Sequence, residues 1–345
     1  MRLLALLILA LALALPPLRA AEAGPFLKPN DVIALIGGED MVVANELGLL
    51  EMWLHSNLPN HHLKVRSLAW EGDTVFEQHR DLNYPTLETQ LAKAGATVVI
   101  CQFGQMESLA GKEKVAEFTA AYEKLIARLR GEGKRRLILM APTYFEKARS
   151  TEERPEETSP HRTFPVPAPN PSLEAYKQAV KALAKDHGFP FVGTLLSKEE
   201  LLARGAHVDS DFSPEWPSTL NTRDGVHAGT SGHVSRLMYL HEALPEIDVA
   251  PDPDGEEYDD TGAIKNHPDR EALRQLILAK NRLWFEYTRP QNWAFLAGDR
   301  TNQPSSRDYR DPSKRWFPDE MEKFVPLIDA KEQEIWNAAA KLNVK

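Results

Sequence analysis

Residues 31–40 have the sequence Asp-Val-Ile-Ala-Leu-Ile-Gly-Gly-Glu-Asp, and this stretch decides the fold. Its apolar run at residues 32–36 is short, continuous and closed by the pair Gly37-Gly38, as in a buried strand that ends in a tight turn. Apolar residues then recur at helical spacing over residues 42–58. The stretch therefore predicts a buried strand, a tight turn and a helix in direct succession.

The same alternation of short apolar runs and amphipathic stretches continues as far as residue 193. Parallel strands need crossover helices, and these cover both faces of the sheet. The pattern therefore predicts an α/β fold with a doubly wound parallel sheet, whose ligands bind at the carboxyl ends of the strands. Further strands are predicted at residues 63–70, 96–103, 136–141 and 189–193, and helices at residues 86–94, 113–130 and 172–186.

The second half of the chain departs from this alternation. Residues 146–171 are rich in proline and predict a long surface loop, and residues 247–262 predict an acidic linker. After the linker, residues 267–287 and 319–342 have helical spacing with no strand between them. We therefore divide the chain into a sheet domain at residues 24–246, the linker, and a helical C-terminal extension at residues 263–345.

The first 23 residues have the pattern of a signal peptide. An uninterrupted apolar run, residues 3–15, follows Arg2, and Ala21-Glu22-Ala23 supplies a cleavage pattern beyond it. The run is shorter than the roughly 18 residues that a membrane-spanning helix needs, which disfavours the alternative of an uncleaved anchor. We expect cleavage after Ala23 or Ala20, giving an exported protein, periplasmic or secreted, with no stable membrane anchor.

Composition limits the scaffold and the partners. Cys101 is the only cysteine, so no intramolecular disulfide can form and the core alone must hold the fold. Lysine and arginine number 41 against 50 aspartate and glutamate residues, which gives a net charge of −9. Binding of nucleic acid needs a basic face that this balance does not suggest, so we expect no nucleic-acid partner.

The strongest chemical motif is Asp224-Gly-Val-His227, which is followed by a helical run. An aspartate three residues before a histidine can hold the imidazole through Nδ1 and leave Nε2 to act as a general base. By itself the motif is modest evidence, because a histidine near the start of a helix is more often a cap or a surface residue.

Together with three earlier motifs, this pair resembles the SGNH (GDSL-type) hydrolase family. Residues 35–40, 70–74 and 103–108 each lie at the end of a predicted strand, in the order of the sequence blocks of that family. The resemblance implies a three-layer α/β/α sandwich with a flavodoxin-like sheet. It also implies hydrolysis of acyl esters, including acetyl esters of carbohydrates, with Asp224 and His227 as the acid–base pair.

Two departures from the family pattern concern the reaction itself. Glu39 stands where the resemblance places the nucleophilic serine, and Met106 stands where it places an asparagine that donates to the oxyanion. Gly72 is the one oxyanion residue that is retained by identity. A carboxylate offers no proton for a histidine to remove, and removal of a triad nucleophile costs about 10⁶ in rate. The residues therefore predict little activity by the usual serine mechanism.

Three alternatives to simple loss of that mechanism stay open. Ser108 or Ser231 could supply a hydroxyl, Gln105 or Gln102 could replace the missing amide, or Glu39 could act as base or nucleophile on another bond type. A single carboxylate pair in the first motif, with no fixed third ligand, is weak evidence for a cation. We therefore expect no metal and no cofactor.

Two functions follow from these residues. The first is an ester hydrolase that acts outside the cytoplasm on a small-molecule or carbohydrate ester, with the Asp224–His227 pair and the Glu39 position at the reaction centre. The second is a catalytically inactive domain that keeps the cleft and binds a glycan or a partner protein.

Overall fold

The computed structural model describes residues 24–145, 171–193, 222, 226–249 and 255–342. The predicted signal peptide, nearly all of the predicted proline-rich loop and Asp224 lie outside these residues. Among the helices in the described ranges, none has the length and apolarity needed to cross a membrane.

The described residues alternate between strands and helices up to β5 and are helical toward the C-terminus. The strands are β1 (Val32–Gly37), β2 (Lys64–Ser67), β3 (Val98–Gln102), β4 (Arg136–Met140) and β5 (Phe191–Val192). The helices are α1 (Glu39–Leu47), α2 (Leu49–Asn57), α3 (Leu87–Lys93), α4 (Val115–Arg130), α5 (Pro171–His187), α6 (Thr230–Ala243), α7 (Pro268–Thr288), α8 (Trp293–Leu296), α9 (Trp316–Glu322) and α10 (Phe324–Leu342).

The strands form one parallel sheet in the order β2-β1-β3-β4-β5. Its register places Gly37, at the end of β1, beside Gln102 at the end of β3. This is the flavodoxin-like order, in which ligands bind beyond the carboxyl ends where the strand order reverses. The predicted parallel α/β sheet is confirmed, and the reversal lies between β1 and β3.

Side chains of the sheet alternate between two buried cores, one on each face. The first core contains Ile33, Leu35, Val65, Ile100 and Ile138 from the strands and is covered by α1, α2 and α6. The second contains Ala34, Ile36, Val99, Cys101 and Leu139 and is covered by α3, α4 and α5. Helices α7 and α10 contribute residues to both cores. The structure is therefore the predicted three-layer α/β/α sandwich, with the helical extension packed on it.

Two predicted helices are each divided in the structure. The predicted helix at residues 42–58 breaks at Gly48, which has a φ of 69°. Arg274 donates to the carbonyl of Leu47 at 2.9 Å, and a Cβ at Gly48 would lie 3.0 Å from Leu278. Tertiary packing against α7 thus sets the break. The predicted helix at residues 319–342 divides before Pro326, whose ring cannot continue a helix from the preceding turn.

The structure describes residues 247–249 and 255–262 of the predicted linker, and the second part is packed against the extension. Glu256 is buried and pairs with Arg270 of α7. Tyr258 forms an antiparallel bridge with Ile264. This acidic segment is therefore packed on the extension, because Arg270 of the following helix pairs with the buried carboxylate of Glu256.

The outer edge of β2 is covered by side-chain donors from the extension. In a parallel edge strand, alternate residues turn their carbonyls away from the sheet and leave them without a strand partner. Trp336 donates to the carbonyl of residue 63 at 3.0 Å, Lys280 to that of residue 65 at 2.9 Å, and Trp284 to that of residue 67 at 2.7 Å. The C-terminal helices therefore supply the hydrogen bonds that another strand would have made.

The central donor of this edge, Lys280, is a fully buried charge. Its ammonium lies 2.8 Å from Oε2 of Glu51 on α2. Burial raises the pKa of Glu51, but the charge of Lys280 and contacts from His55 hold that pKa below its usual value. For Lys280 burial is the larger effect and lowers the pKa of its ammonium. Lys280 and Glu51 thus form a buried pair in which each charge compensates the charge of its partner.

We expect Lys280→Met to destabilise the protein by about 3–5 kcal/mol, because the Glu51 carboxylate is left buried and unpaired. The measurement is the free energy of unfolding from urea titration. Arg282→Met on the exposed side of the same helix is the matched control and should stay within about 0.5 kcal/mol of the parent. A cost for Lys280→Met as small as that of the control would contradict the assigned role of the pair.

Candidate functional site

A cleft of about 230 Å³ opens at the carboxyl edge of the sheet, beside the point where the strand order reverses. Of the residues predicted for the site, those that the structure describes all line this cleft: Glu39, Gly72, Gln105, Met106 and His227. They come from loops that are far apart in sequence. The topology brings them together because the carboxyl ends of parallel strands meet at one edge.

Glu39 is the first residue of α1, directly after the turn that closes β1. A Cβ at Gly37 would lie 2.8 Å from the carbonyl oxygen of Gln102, and one at Gly38 would lie 3.3 Å from that of Asp73. The two glycines therefore let the start of α1 approach the loops after β3 and β2. A carboxylate at a helix N-terminus is favoured by the helix dipole, so Glu39 suits the first position of α1.

Gly72 lies in a tight turn that is fixed to the end of β1. The N–H of Trp70 donates to the carbonyl of Gly37 at 3.0 Å, and the N–H of Asp73 donates to that of Trp70 at 3.1 Å. Gly72 has a φ of 80°, a conformation that favours glycine. The turn thus holds the backbone of Gly72 beside the start of α1.

The loop after β3 is shaped by Glu107, a buried carboxylate that the sequence analysis did not single out. Its two oxygens accept the N–H groups of Gly104 and Val75, each at 2.9 Å. Burial raises the pKa of Glu107, and the two backbone donors oppose that rise. Glu107 therefore joins the loops after β2 and β3, which both border the cleft.

Met106 and Gln105 take different directions from this loop. Met106 is 53% exposed, and its thioether cannot donate a hydrogen bond to an oxyanion. Gln105 donates from Nε2 to the carbonyl of Val226 at 2.7 Å, so its amide holds the loop that carries His227. Gln102 donates from Nε2 to the carbonyl of Ala141 at 2.9 Å.

His227 is half-buried and is held through both of its chain neighbours. Gln105 contacts the carbonyl of Val226, and the N–H of Ala228 donates to Oδ1 of Asp40 at 3.1 Å. These contacts place the imidazole at the cleft from two sides. The other half of the predicted pair, Asp224, lies outside the described residues.

Asp40 is the centre of a buried polar cluster beneath the cleft. Arg236 of α6 donates to its Oδ2 at 2.8 Å, and the hydroxyl of Thr143 donates to the same oxygen. Burial alone would raise the pKa of Asp40, but the charges of Arg236 and His233 and these hydrogen bonds hold it below its usual value. Asp40 is thus an ionised carboxylate whose oxygens are both engaged by the protein.

Asp73 is a second buried carboxylate that lines the cleft. Arg80 binds it through two hydrogen bonds of 2.7 Å each. Burial raises the pKa of Asp73, and the hydrogen bonds and charge of Arg80 oppose that rise. This bidentate pair fixes the residue that follows Gly72.

The alternatives that the sequence left open can now be located. Ser108 and Ser231 are described and neither is among the residues that line the cleft; the Ser108 hydroxyl donates to the carbonyl of Gln105 at 2.6 Å. Both oxygens of Asp40 already accept hydrogen bonds from the protein. Within the described ranges no group of three histidine, cysteine, aspartate or glutamate residues could hold a metal ion.

Four buried or partly buried residues of this region escaped the sequence analysis: Asp73, Thr143, Glu107 and Arg236. Asp73 and Glu107 lie within the motifs but were given no role, and that position is the signal that could have found them. Thr143 and Arg236 have no such signal, because their link to Asp40 exists only in the folded chain.

We expect Arg236→Met to destabilise the protein by about 3–5 kcal/mol, since it leaves the Asp40 carboxylate buried without its cation. The double change Asp40→Leu with Arg236→Met should recover most of this loss. A cycle of urea unfolding measurements checks the coupling, and the exposed pair Lys331–Glu334, 2.7 Å apart, serves as control with no more than about 0.5 kcal/mol. Additive costs at Asp40 and Arg236 would contradict the pairing.

The same pair predicts a pH dependence. Since the pKa of Asp40 is lower in the folded chain, its stabilising contribution is present above the unfolded pKa of about 4 and is lost as the pH falls through the folded value. The double variant Asp40→Leu with Arg236→Met should lack this part of the loss of stability at acid pH.

Comparisons with known proteins give likenesses of fold. No family model and no curated protein matches the chain. Among solved structures, the chain is similar to a gut microbial diltiazem-metabolizing enzyme at 11% identity and a TM-score of 0.49, over 91% of this chain and 95% of that one.

Two further solved structures match about two thirds of the chain. A protein from Parabacteroides merdae assigned to the GDSL-like lipases matches at 13% identity and a TM-score of 0.43, over 64% of this chain and 98% of its own. An acetyl xylan esterase from Geobacillus stearothermophilus matches at 15% identity and a TM-score of 0.38, over 65% and 98%.

Proposed function

We propose that this chain is a divergent SGNH-type ester hydrolase that acts on a short acyl ester, with acetylated carbohydrates as the substrate class. One observation carries the proposal: Glu39, Gly72 and His227 line the same cleft at the carboxyl edge of the sheet. That is where a doubly wound sheet binds its ligands. The resemblance of the motif order to that of SGNH hydrolases supports the reaction class.

In the proposed reaction a water molecule replaces the missing serine as nucleophile. His227 takes a proton from water through Nε2 while the water oxygen forms a bond to the acyl carbon. The backbone N–H groups at the start of α1 and at Gly72 stabilise the oxyanion. His227 then returns the proton to the leaving alcohol as the C–O bond breaks, so that ester and water give acid and alcohol.

The same residues limit the rate of this reaction. Loss of a triad nucleophile leaves about 10³–10⁴ over the uncatalysed rate, from the oxyanion donors and binding alone. Met106 removes one side-chain donor, and loss of one such donor costs about 10²–10³ in kcat. The Glu39 carboxylate is a negative charge beside the position where the oxyanion develops. We therefore expect turnover that is slow but dependent on His227.

Two features of the cleft favour a short acyl group. Its volume of about 230 Å³ is below the roughly 300–1,000 Å³ of pockets for drug-sized ligands. Phe103, Pro142 and Val226 give part of its lining an apolar surface that suits a methyl or ethyl chain. Export to the periplasm or the medium, which rests on residues 1–23, would bring the protein to carbohydrate esters outside the cytoplasm.

The replacement of both Glu39 and Met106 favours a second candidate function. A cleft that keeps its shape but has lost the nucleophile and an oxyanion donor can bind an acylated glycan, or a partner protein, without hydrolysing it. The alternative uses the same cleft, and turnover distinguishes the two.

We expect the unmodified protein to hydrolyse p-nitrophenyl acetate at a low rate that His227→Ala removes, because the imidazole is the proposed base. His79→Ala is the matched control: His79 has an exposed side chain, and its loss should leave the rate unchanged. Equal turnover by the parent and His227→Ala would reject the hydrolase and leave the binding function. The assay measures initial rates across pH 5–9.

We further expect Glu39→Ser to raise turnover by about 10²-fold or more, since it supplies a nucleophile and removes a negative charge from beside the oxyanion. The double variant Glu39→Ser with His227→Ala is the control and should lose that gain. A rate for Glu39→Ser no higher than that of Glu39→Ala would contradict the placement of residue 39 at the reaction centre.

Chain-length preference tests the substrate class. We expect kcat/KM for p-nitrophenyl acetate to exceed that for the octanoate by about 10-fold or more, because an eight-carbon chain exceeds the cleft. The measurement is kcat/KM over esters of two to eight carbons in the Glu39→Ser variant. A preference for the longer chains would contradict a short-acyl substrate.

A further inference from the structure

Arg289, the residue after α7, contacts three neighbouring parts of the turn that carries Gly72. One guanidinium nitrogen lies 2.7 Å from a carboxylate oxygen of Glu71. Another donates to the carbonyl of Ala69. The guanidinium carbon lies 4.0 Å from the ring centroid of Trp70. A single side chain of the extension therefore binds the turn by charge, by hydrogen bond and by stacking.

These contacts continue the row of donors along β2. The acceptors of Lys280, Trp284 and Arg289 are the carbonyls of residues 65, 67 and 69, alternate positions on the same outer edge. The edge strand and the turn that follows it are thus held by one helix. The last of the three contacts is directly beside the cleft.

The turn has a second anchor on the sheet domain. Arg80 binds Asp73, and its guanidinium lies 4.3 Å from the centroid of Trp70. Tyr84 packs edge-on to the same ring at 5.5 Å, and its hydroxyl donates to the carbonyl of Thr288, next to Arg289. Trp70 therefore lies where the loop after β2 meets the end of α7.

We propose that Arg289 is a positioning residue for the cleft, which makes the C-terminal extension part of the site. Arg289 acts through Trp70 and Glu71 on Gly72. In the proposed function the backbone N–H of Gly72 is an oxyanion donor, and the effect of Arg289 on turnover rests on that function. The requirement is specific for arginine. A planar guanidinium reaches two acceptors in a fixed geometry while it stacks on a ring, and a lysine ammonium, a point charge on a flexible stem, does not reproduce that geometry.

The first test is independent of catalysis. Hydrogen–deuterium exchange of Arg289→Ala should show amides of residues 69–73 exchanging about 10-fold faster, because a charge-assisted hydrogen bond and a stacked ion are lost from the turn. Peptides from β3 and β4 should be unchanged. Arg282→Ala is the matched control, since Arg282 is on the same helix with an exposed side chain and pairs only locally, with Glu286. Unchanged exchange at residues 69–73 would overturn the proposal, whatever the activity.

The second test separates positioning from a loss of folded protein. In the Glu39→Ser background, Arg289→Ala should lower kcat by about 10–100-fold with KM little changed, as expected when a donor is displaced by about 1 Å. Arg289→Lys should keep less than half of the parent kcat, and Arg282→Ala should keep all of it. A fall confined to the fraction of folded protein, with kcat per folded molecule intact, would overturn the proposal. If neither the unmodified protein nor Glu39→Ser shows turnover, the proposed function fails, and the exchange result alone decides the role of Arg289.

Discussion

The outward carbonyls of β2 are the constraint on which the rest of the structure depends. An exposed edge strand with unsatisfied backbone acceptors favours pairing with another chain. A buried edge strand with unsatisfied acceptors is destabilised, because each acceptor lacks its hydrogen bond. Here helices α7 and α10 cover the edge with lysine, tryptophan and arginine donors. That solution requires a buried ammonium, which in turn requires the Glu51 carboxylate. The extension, the sheet and the wall of the cleft are thereby one hydrogen-bonded unit.

The cleft itself is organised by carboxylates that hold its loops in place and take no part in the proposed reaction. Asp40 pairs with Arg236 and holds Ala228, Asp73 pairs with Arg80, and Glu107 accepts two backbone donors. Each carboxylate fixes a loop, and together they fix the loops after β1, β2 and β3 relative to the turn of His227. Preorganised donors are what stabilise a developing oxyanion. In the proposed function, these fixed loops would hold the oxyanion donors of the start of α1 and of Gly72 in place.

Much of the fold was predictable because the strands are buried on both faces and appear in the sequence as continuous apolar runs. The position of the cleft followed as well, since parallel strands align their carboxyl ends, and this brought Glu39, Gly72 and His227 to one place. The break at Gly48 was not predictable, because it depends on Arg274 of a distant helix. Buried pairs such as Asp40 with Arg236 join residues 196 positions apart, and a sequence pattern does not record such a contact.

The donors that close the β2 edge come from the far end of the chain, which has a consequence for biosynthesis. Lys280 follows its acceptor by 215 residues, and Trp336 follows its own by 273. These donors can reach the β2 edge only after residues 280 and 336 have been synthesised. Folding dominated by such distant contacts is slow, and open rims promote aggregation. The last helices of the chain are therefore what closes the sheet against pairing with another polypeptide.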